Sequence, residues 1–222
     1  MRVMIIYGTS LSPFVRKTMV FAAEKGVAIT NVPLGTGSDD PAFLAASPLR
    51  KIPAMRDKGA DGGADFCIAD SSAIVAYIEA KHPQAALIPA EPMARAQAIW
   101  FDEFADTVFF AVASKIFGNR VVLPKFRNQP GDQAAADAAE ADDLPPLFDH
   151  LEGAIRPSGF LVGDALSLAD IAIASLFVNL AHASVSVDGA RWPKLSAYVD
   201  AMLARPSFTP IIAAEKARLA AA

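Results

Sequence analysis

Lys51-Ile52-Pro53-Ala54-Met55 and, shortly downstream, Asp70-Ser71-Ser72-Ala73-Ile74 are the two stretches that decide how this chain folds. The first reads as a turn entering a strand, with a proline where a strand has little use for one. Proline lacks a backbone donor, so a bend or a cis bond is expected at Pro53. The second sets an acid–serine pair directly before a helical run. A helix start attracts anions, so Ser71 and the first N–H groups of that helix suit a carboxylate. Asp70 suits a neighbouring ammonium. The backbone of Ile52 can then face outward and pair with an extended chain, as in strand addition. Together the two stretches fit an extended peptide that carries a free amino acid group at one end.

The 222 residues suit one large domain or two small ones and can bury a sizeable core. A hydrophobic share of 53% against 20% charged residues predicts an ordered globule. A formal net charge of −4 without a basic cluster argues against a nucleic-acid partner. Met1–Tyr7 has no signal-peptide character, and no apolar run is expected to be long enough to span a bilayer. Cys67 is the single cysteine, which excludes an intrachain disulfide framework. A cytoplasmic protein with no membrane partner is the expectation.

Working outward, Val3–Tyr7 reads as a buried strand and Pro13–Lys25 as a helix stopped by Gly26. Val27–Leu34 reads as a second strand and Pro41–Ala46 as a short helix. Ala54–Arg56 and Phe66–Ala69 form a hairpin around the Gly/Asp-rich loop Lys58–Asp65, and Ser71–Lys81 is a helix. This order predicts a mixed sheet with helices on its faces over residues 1–82. Residues 83–91 are proline-rich and read as a linker. Residues 92–222 show helical patterns only: Met93–Phe117, Ala134–Ile155 interrupted by Pro145-Pro146, Ser167–His182 and Lys194–Ala204. Ser167-Leu168-Ala169-Asp170 has the form of a capping box with aspartate in the acidic place. The apolar run behind it suits a central bundle helix.

These marks together resemble the glutathione transferase superfamily. Tyr7-Gly8, Ser12-Pro13-Phe14-Val15-Arg16-Lys17, the two opening stretches and Gly163–Ala172 carry the resemblance, in order and at matching spacing. It implies an α/β N-terminal thioredoxin-like domain, an all-α C-terminal helical bundle domain, and a homodimer. It also implies an enzyme of detoxification with glutathione as co-substrate and a small hydrophobic electrophile as second substrate. Two departures stand out. Arg50 occupies a place the family gives to glycine, which puts a side chain at a turn prone to positive φ. Asp70 replaces the more frequent glutamate.

The resemblance implies Ser12 as the catalytic hydroxyl beside the glutathione sulfur. The residues support that role independently, because Pro13 belongs in a first helical turn and puts Ser12 at the N-cap. A free thiol has a pKa of about 8.5, so a thiolate at neutral pH needs a drop of roughly two units, or about 2.7 kcal/mol. A hydrogen bond to the charged sulfur contributes about 1.5–3 kcal/mol and a helix start about 0.3–1 kcal/mol, enough together. The plain alternative is an N-cap serine without a ligand. Tyr7, Thr9 and Ser10 are rivals for the sulfur.

The resemblance further assigns Ile52 to the glutathione backbone, Asp70 to its ammonium, Ser71 to its γ-glutamyl carboxylate and Lys51 to its glycyl carboxylate, with Pro53 shaping the turn. A helix cap is the competing role for Asp70 and Ser71. Phe104, Phe109 and Phe110, in the stretch with Trp100 and Phe101, are candidates for the electrophile pocket; bundle core is the alternative. Cys67 reads as a small apolar strand residue. His82, His150 and His182 lack metal-ligand spacing, so no metal is expected. Two other functions share the same fold: a non-catalytic binding or scaffold protein, and a glutathione-dependent isomerase or peroxidase.

Overall fold

The computed structural model describes residues 4–60 and 62–222, and Val3 of the expected first strand lies outside them. Among the described residues four short strands form one sheet in the order β2-β1-β3-β4. β1 (Met4–Tyr7) runs parallel to β2 (Ile29–Val32), because helix α1 (Pro13–Glu24) carries the chain back across the sheet. β3 (Ala54–Asp57) pairs antiparallel with β1, and β4 (Phe66–Ala69) antiparallel with β3. β2 is shorter than the expected Val27–Leu34. Helices α2 (Pro41–Ala46) and α3 (Ser71–Lys81) have the expected bounds.

Side-chain alternation along the strands divides the helices between two faces. Tyr7 and Ala54 point to the face covered by α2, where they pack with Phe43 and Ala46. Ile6 and Met55 point to the opposite face, where α1 and α3 lie side by side. There Asp57, nearly inaccessible, accepts from the Tyr77 hydroxyl at 2.7 Å and pairs with the Lys81 ammonium, tying α3 to β3. The long loop between β3 and β4 closes on Asp65, which meets Arg56 at 2.5 Å and the Gly59 N–H at 2.9 Å. This is the thioredoxin-like arrangement the resemblance implies.

The chain divides into two compact units, Met1–Leu87 and Ile88–Ala222. The first part of the proline-rich segment is fastened to unit one. Lys25, its side chain fully enclosed, donates to Glu79 at 2.7 Å and to the carbonyls of Gln84 and Ala85 at 3.1 Å.

Unit two is entirely helical. Helix α4 runs unbroken through Pro92–Phe126, past the expected end at Phe117. A π-helical turn at Gly118–Val122 widens the coil just before Pro124 and absorbs the missing donor. A second π turn spans Ala105–Phe109. Residues 133–154 form α5, and here the expected interruption at Pro145-Pro146 is corrected. A π turn at Ala139–Asp143 precedes the prolines and the helix continues. The sequence expectation on membrane length also needs correction. By length and composition alone α4 is long and apolar enough to cross a bilayer, with a mean hydropathy of 1.2 over 18 residues. That window is 28% buried, and α4 carries charges from Arg95 to Lys125.

Helix α6 (Leu168–His182) is buried around nearly its whole circumference, as its unbroken apolar sequence requires. It packs on α4 and on α7 (Pro193–Leu203). A last helix, α8 (Thr209–Ala220), was not among the sequence expectations, although Pro210 in its first turn and its Ala, Glu, Lys and Arg content are helix signals.

The start of α6 is held by Asp170, which is fully buried. Its carboxylate accepts the Ser167 N–H and the Leu161 N–H, each at 2.9 Å, and the Tyr198 hydroxyl at 3.3 Å. Burial pushes its pKa above the usual carboxylate range, while the bonds from Leu161 and Ser167 pull the other way. The cap expected at Ser167–Asp170 therefore also ties α6 to the preceding loop and to α7. Asp170→Ala leaves those donors buried without an acceptor. A loss of about 3 kcal/mol in unfolding free energy is expected by urea denaturation, with Asp170→Asn losing less.

Candidate functional site

The turn from β1 into α1 begins at Gly8, whose φ is +135°. A Cβ on Gly8 would lie 2.6 Å from Cγ2 of Val15 and 3.0 Å from Cβ of Ile52. Only glycine lets this turn lie against both α1 and the Ile52 segment. The Gly8 N–H donates to the Val32 carbonyl at 2.9 Å and the Thr9 N–H to the Leu34 carbonyl at 2.8 Å. Asn31 of β2 adds a clamp by donating to the carbonyls of Ile6 and Gly8 at 3.1 and 3.0 Å. No sequence signal had singled out Asn31.

Ser12 is the N-cap of α1, with extended φ −74° and ψ 124°, followed by Pro13. Its hydroxyl makes no capping bond, and among the described residues it has no other hydrogen-bond partner. The plain role of capping is thus not the one this side chain performs. It is half-buried beside the unsatisfied N–H groups of a twelve-residue helix.

The second piece is the segment before β3. Ser47, fully buried, accepts the Lys51 N–H at 2.8 Å and donates to the Lys51 carbonyl at 2.8 Å. This two-way clamp fixes the turn, and sequence reasoning missed it. Arg50 has φ +57°, the conformation expected where the family uses glycine. That conformation costs a side-chain-bearing residue about 1–2 kcal/mol. An exposed ion pair between Arg50 and Asp39 at 2.7 Å returns less than about 1 kcal/mol. The Lys51 side chain is exposed, the Ile52–Pro53 peptide bond is cis, and neither backbone group of Ile52 has a partner among the described residues. The Ile52 edge is open to an added strand.

The third piece is joined to the second directly, because the Asp70 N–H donates to the Pro53 carbonyl at 3.2 Å. Asp70 has φ 88° and ψ 131°, a strained backbone for a residue other than glycine. Its Oδ1 accepts the Ser72 N–H at 2.9 Å and the Ala73 N–H at 3.1 Å, so it caps α3. Both bonds use the same oxygen, and Oδ2 is left for a further donor. Ser71 is buried at the helix start, and Lys17 of α1 donates to Ser72 Oγ at 3.3 Å, linking the first turns of α1 and α3.

The remaining candidates separate clearly. Tyr7 is buried on the α2 face with its ring 6.2 Å from Phe43, a core position. Thr9 and Ser10 shape the turn and are half-buried. In unit two Phe109 is fully buried, its ring centroid 5.2 Å from Phe177 and 6.4 Å from Phe104. Phe109 is therefore packed within the bundle core, the alternative role open to it. Phe104 is buried and stacks on the half-exposed Trp100, while Phe110 is half-buried. Cys67 lies in β4, half-buried against the α2 core as expected. Among the described residues no three of His, Cys, Asp and Glu form a metal-binding group.

Three polar features thus share one rim of unit one: an uncommitted hydroxyl, an unpaired backbone edge and a capped helix start. The family model described as "Glutathione S-transferase, N-terminal domain" matches residues 6–86, and "Glutathione S-transferase, C-terminal domain" matches residues 105–206. The chain belongs to the glutathione S-transferase family. Glutathione S-transferase 3 of Zea mays is 32% identical over 216 residues, covering 94% of this chain and 93% of that one. The theta-class glutathione S-transferase of Xanthomonas axonopodis pv. citri, solved with glutathione bound, has a TM-score of 0.77 at 26% identity, over 96% and 98% of the two chains. Elongation factor 1-gamma of Carassius auratus is 33% identical over 139 residues, 63% of this chain and 28% of that protein. The matched stretch is thus a minor part of a longer protein of another name.

Gly8→Ala is expected to destabilise unit one by roughly 3 kcal/mol, since it adds backbone strain to an overlap with Val15 and Ile52. Thermal and urea unfolding followed by circular dichroism measure it; an unchanged midpoint would contradict the close approach.

Proposed function

We propose that this protein is a glutathione transferase in which the Ser12 hydroxyl donates to the glutathione sulfur and holds it as a thiolate. The observation that carries the reading is the Ser12 side chain, set at a helix start yet spent on no protein partner. In this reading the Ile52 edge takes the cysteinyl backbone of the tripeptide, supported by two open backbone groups. Oδ2 of Asp70 takes the ammonium, and Ser71 with the α3 start takes the γ-glutamyl carboxylate. The capping role of Asp70 and the ligand role coexist, because capping uses Oδ1 alone. Lys51, exposed beside this edge, reaches the glycyl carboxylate.

The reaction is attack of the thiolate on a small apolar electrophile, with the new carbon–sulfur bond formed as the leaving group departs or a double bond opens. Rate enhancement comes from the thiolate fraction and from orientation, without a protein-bound intermediate. Isomerase and peroxidase reactions would use the same first site. A scaffold function is the second reading, favoured by Arg50, by Asp70 in the glutamate place and by the elongation-factor relative. Ser12→Ala decides between them. A transferase should lose about 10- to 100-fold in kcat/KM with a chlorinated dinitrobenzene, and the bound thiol should titrate one to two pH units higher, matching about 1.5–3 kcal/mol of hydrogen bond. Retention on immobilised glutathione with no turnover in the parent protein would support the scaffold.

We also propose a homodimer. Met93 and Trp100, two helical turns apart on α4, are 74% and 49% exposed, and Val108 continues the apolar surface. Sedimentation should give a dimer mass for the parent and a monomer mass for Trp100→Glu; a monomeric parent overturns this part.

A further inference from the structure

At the C-terminal end of α6 a cavity of about 350 Å³ opens between α6, α7 and α8. Val178 of α6, Leu203 of α7 and Ile212 and Ala213 of α8 give it apolar walls, with His182 and Lys216 as its basic residues. The His182 side chain is only 3% exposed and meets Glu215, itself 1% exposed, with Nε2 and Oε2 2.8 Å apart. That contact engages one ring nitrogen. Nδ1 has no partner among the described residues, yet no buried side-chain nitrogen there is left unsatisfied. Nδ1 must therefore reach open space, and His182 is one of the residues lining this cavity.

We propose that the cavity binds a small apolar molecule bearing one hydroxyl, a phenol-type ligand, whose O–H pairs with Nδ1 of His182. With Glu215 ionised, Nε2 carries the proton directed at the carboxylate, and Nδ1 accepts from the ligand. A hydroxyl also accepts, so it can pair with Nδ1 when the ring carries both protons. A carboxylate ligand would set a second anion across one imidazole ring from Glu215. Lys216, the cation on this wall, is exposed, so solvent screens what it could return. The apolar body fills the wall formed by Val178, Leu203 and Ile212, and the volume lies within the range of small-molecule sites. This site is separate from the Ser12 rim of unit one and does not depend on glutathione chemistry.

Calorimetric titration of the full chain with para-propylphenol, its methyl ether and para-propylbenzoate tests the assignment. The phenol is expected to bind equally with and without saturating glutathione, and about tenfold more tightly than the ether, which cannot donate. His182→Phe should lower phenol binding to the level of the ether. Ala213→Trp, at an exposed position on α8, should fill the cavity mouth and abolish both. Equal binding of phenol and ether, tighter binding of the benzoate, phenol binding that survives Ala213→Trp, or no heat of binding each overturns the proposal. Should His182→Phe fail to fold, Ala213→Trp still decides.

Discussion

The close approach of Gly8 to Ile52 is the constraint on which the arrangement of unit one rests. It lets the turn at the start of α1 and the segment before β3 share one rim, and the Asp70–Pro53 hydrogen bond adds the start of α3. Three chain segments distant in sequence thereby present polar groups side by side. Each segment is further fixed from behind by Asn31, Ser47 or Lys17, residues whose polar atoms are spent on positioning. The rim is preorganised, so a ligand meeting it pays little for ordering the protein.

Strain gathers at this rim. Arg50 and Asp70 both adopt positive φ without being glycine. At Asp70 the backbone bond to Pro53 and two capping bonds offset a cost of about 1–3 kcal/mol. At Arg50 the offset is smaller, because its ion pair is solvent-exposed. Strained residues that persist beside open polar groups are consistent with a binding site.

Unit two solves a different problem. Its helices contain Pro124 and Pro145-Pro146 where a regular α-helix loses donors, and each is preceded by a π turn that keeps the helix whole. Around them α6 provides an apolar axis whose start is held by the buried Asp170. The same helix ends at His182, where a buried carboxylate orients one ring nitrogen and leaves the other open.

Much of this was legible in the sequence. The strand and helix order of the first unit, the bounds of α2 and α3, the Ser167–Asp170 cap and the place of Ser12 all follow from local signals: proline at a first turn, an acid–serine pair, periodicity. The positive φ at Arg50 was expected only through the resemblance, which puts glycine at that place. Local signals misled at the helix end expected at Phe117 and at Pro145-Pro146, because the response of a helix to a missing donor depends on what packs around it. They could not separate Phe109 as core from Phe110, whose sequence neighbourhoods are alike. Whether Ile52 leaves its backbone unpaired and which nitrogen of His182 meets Glu215 are matters of distance between remote segments. Local chemistry sets which groups are available; only the folded chain determines which of them remain unpaired.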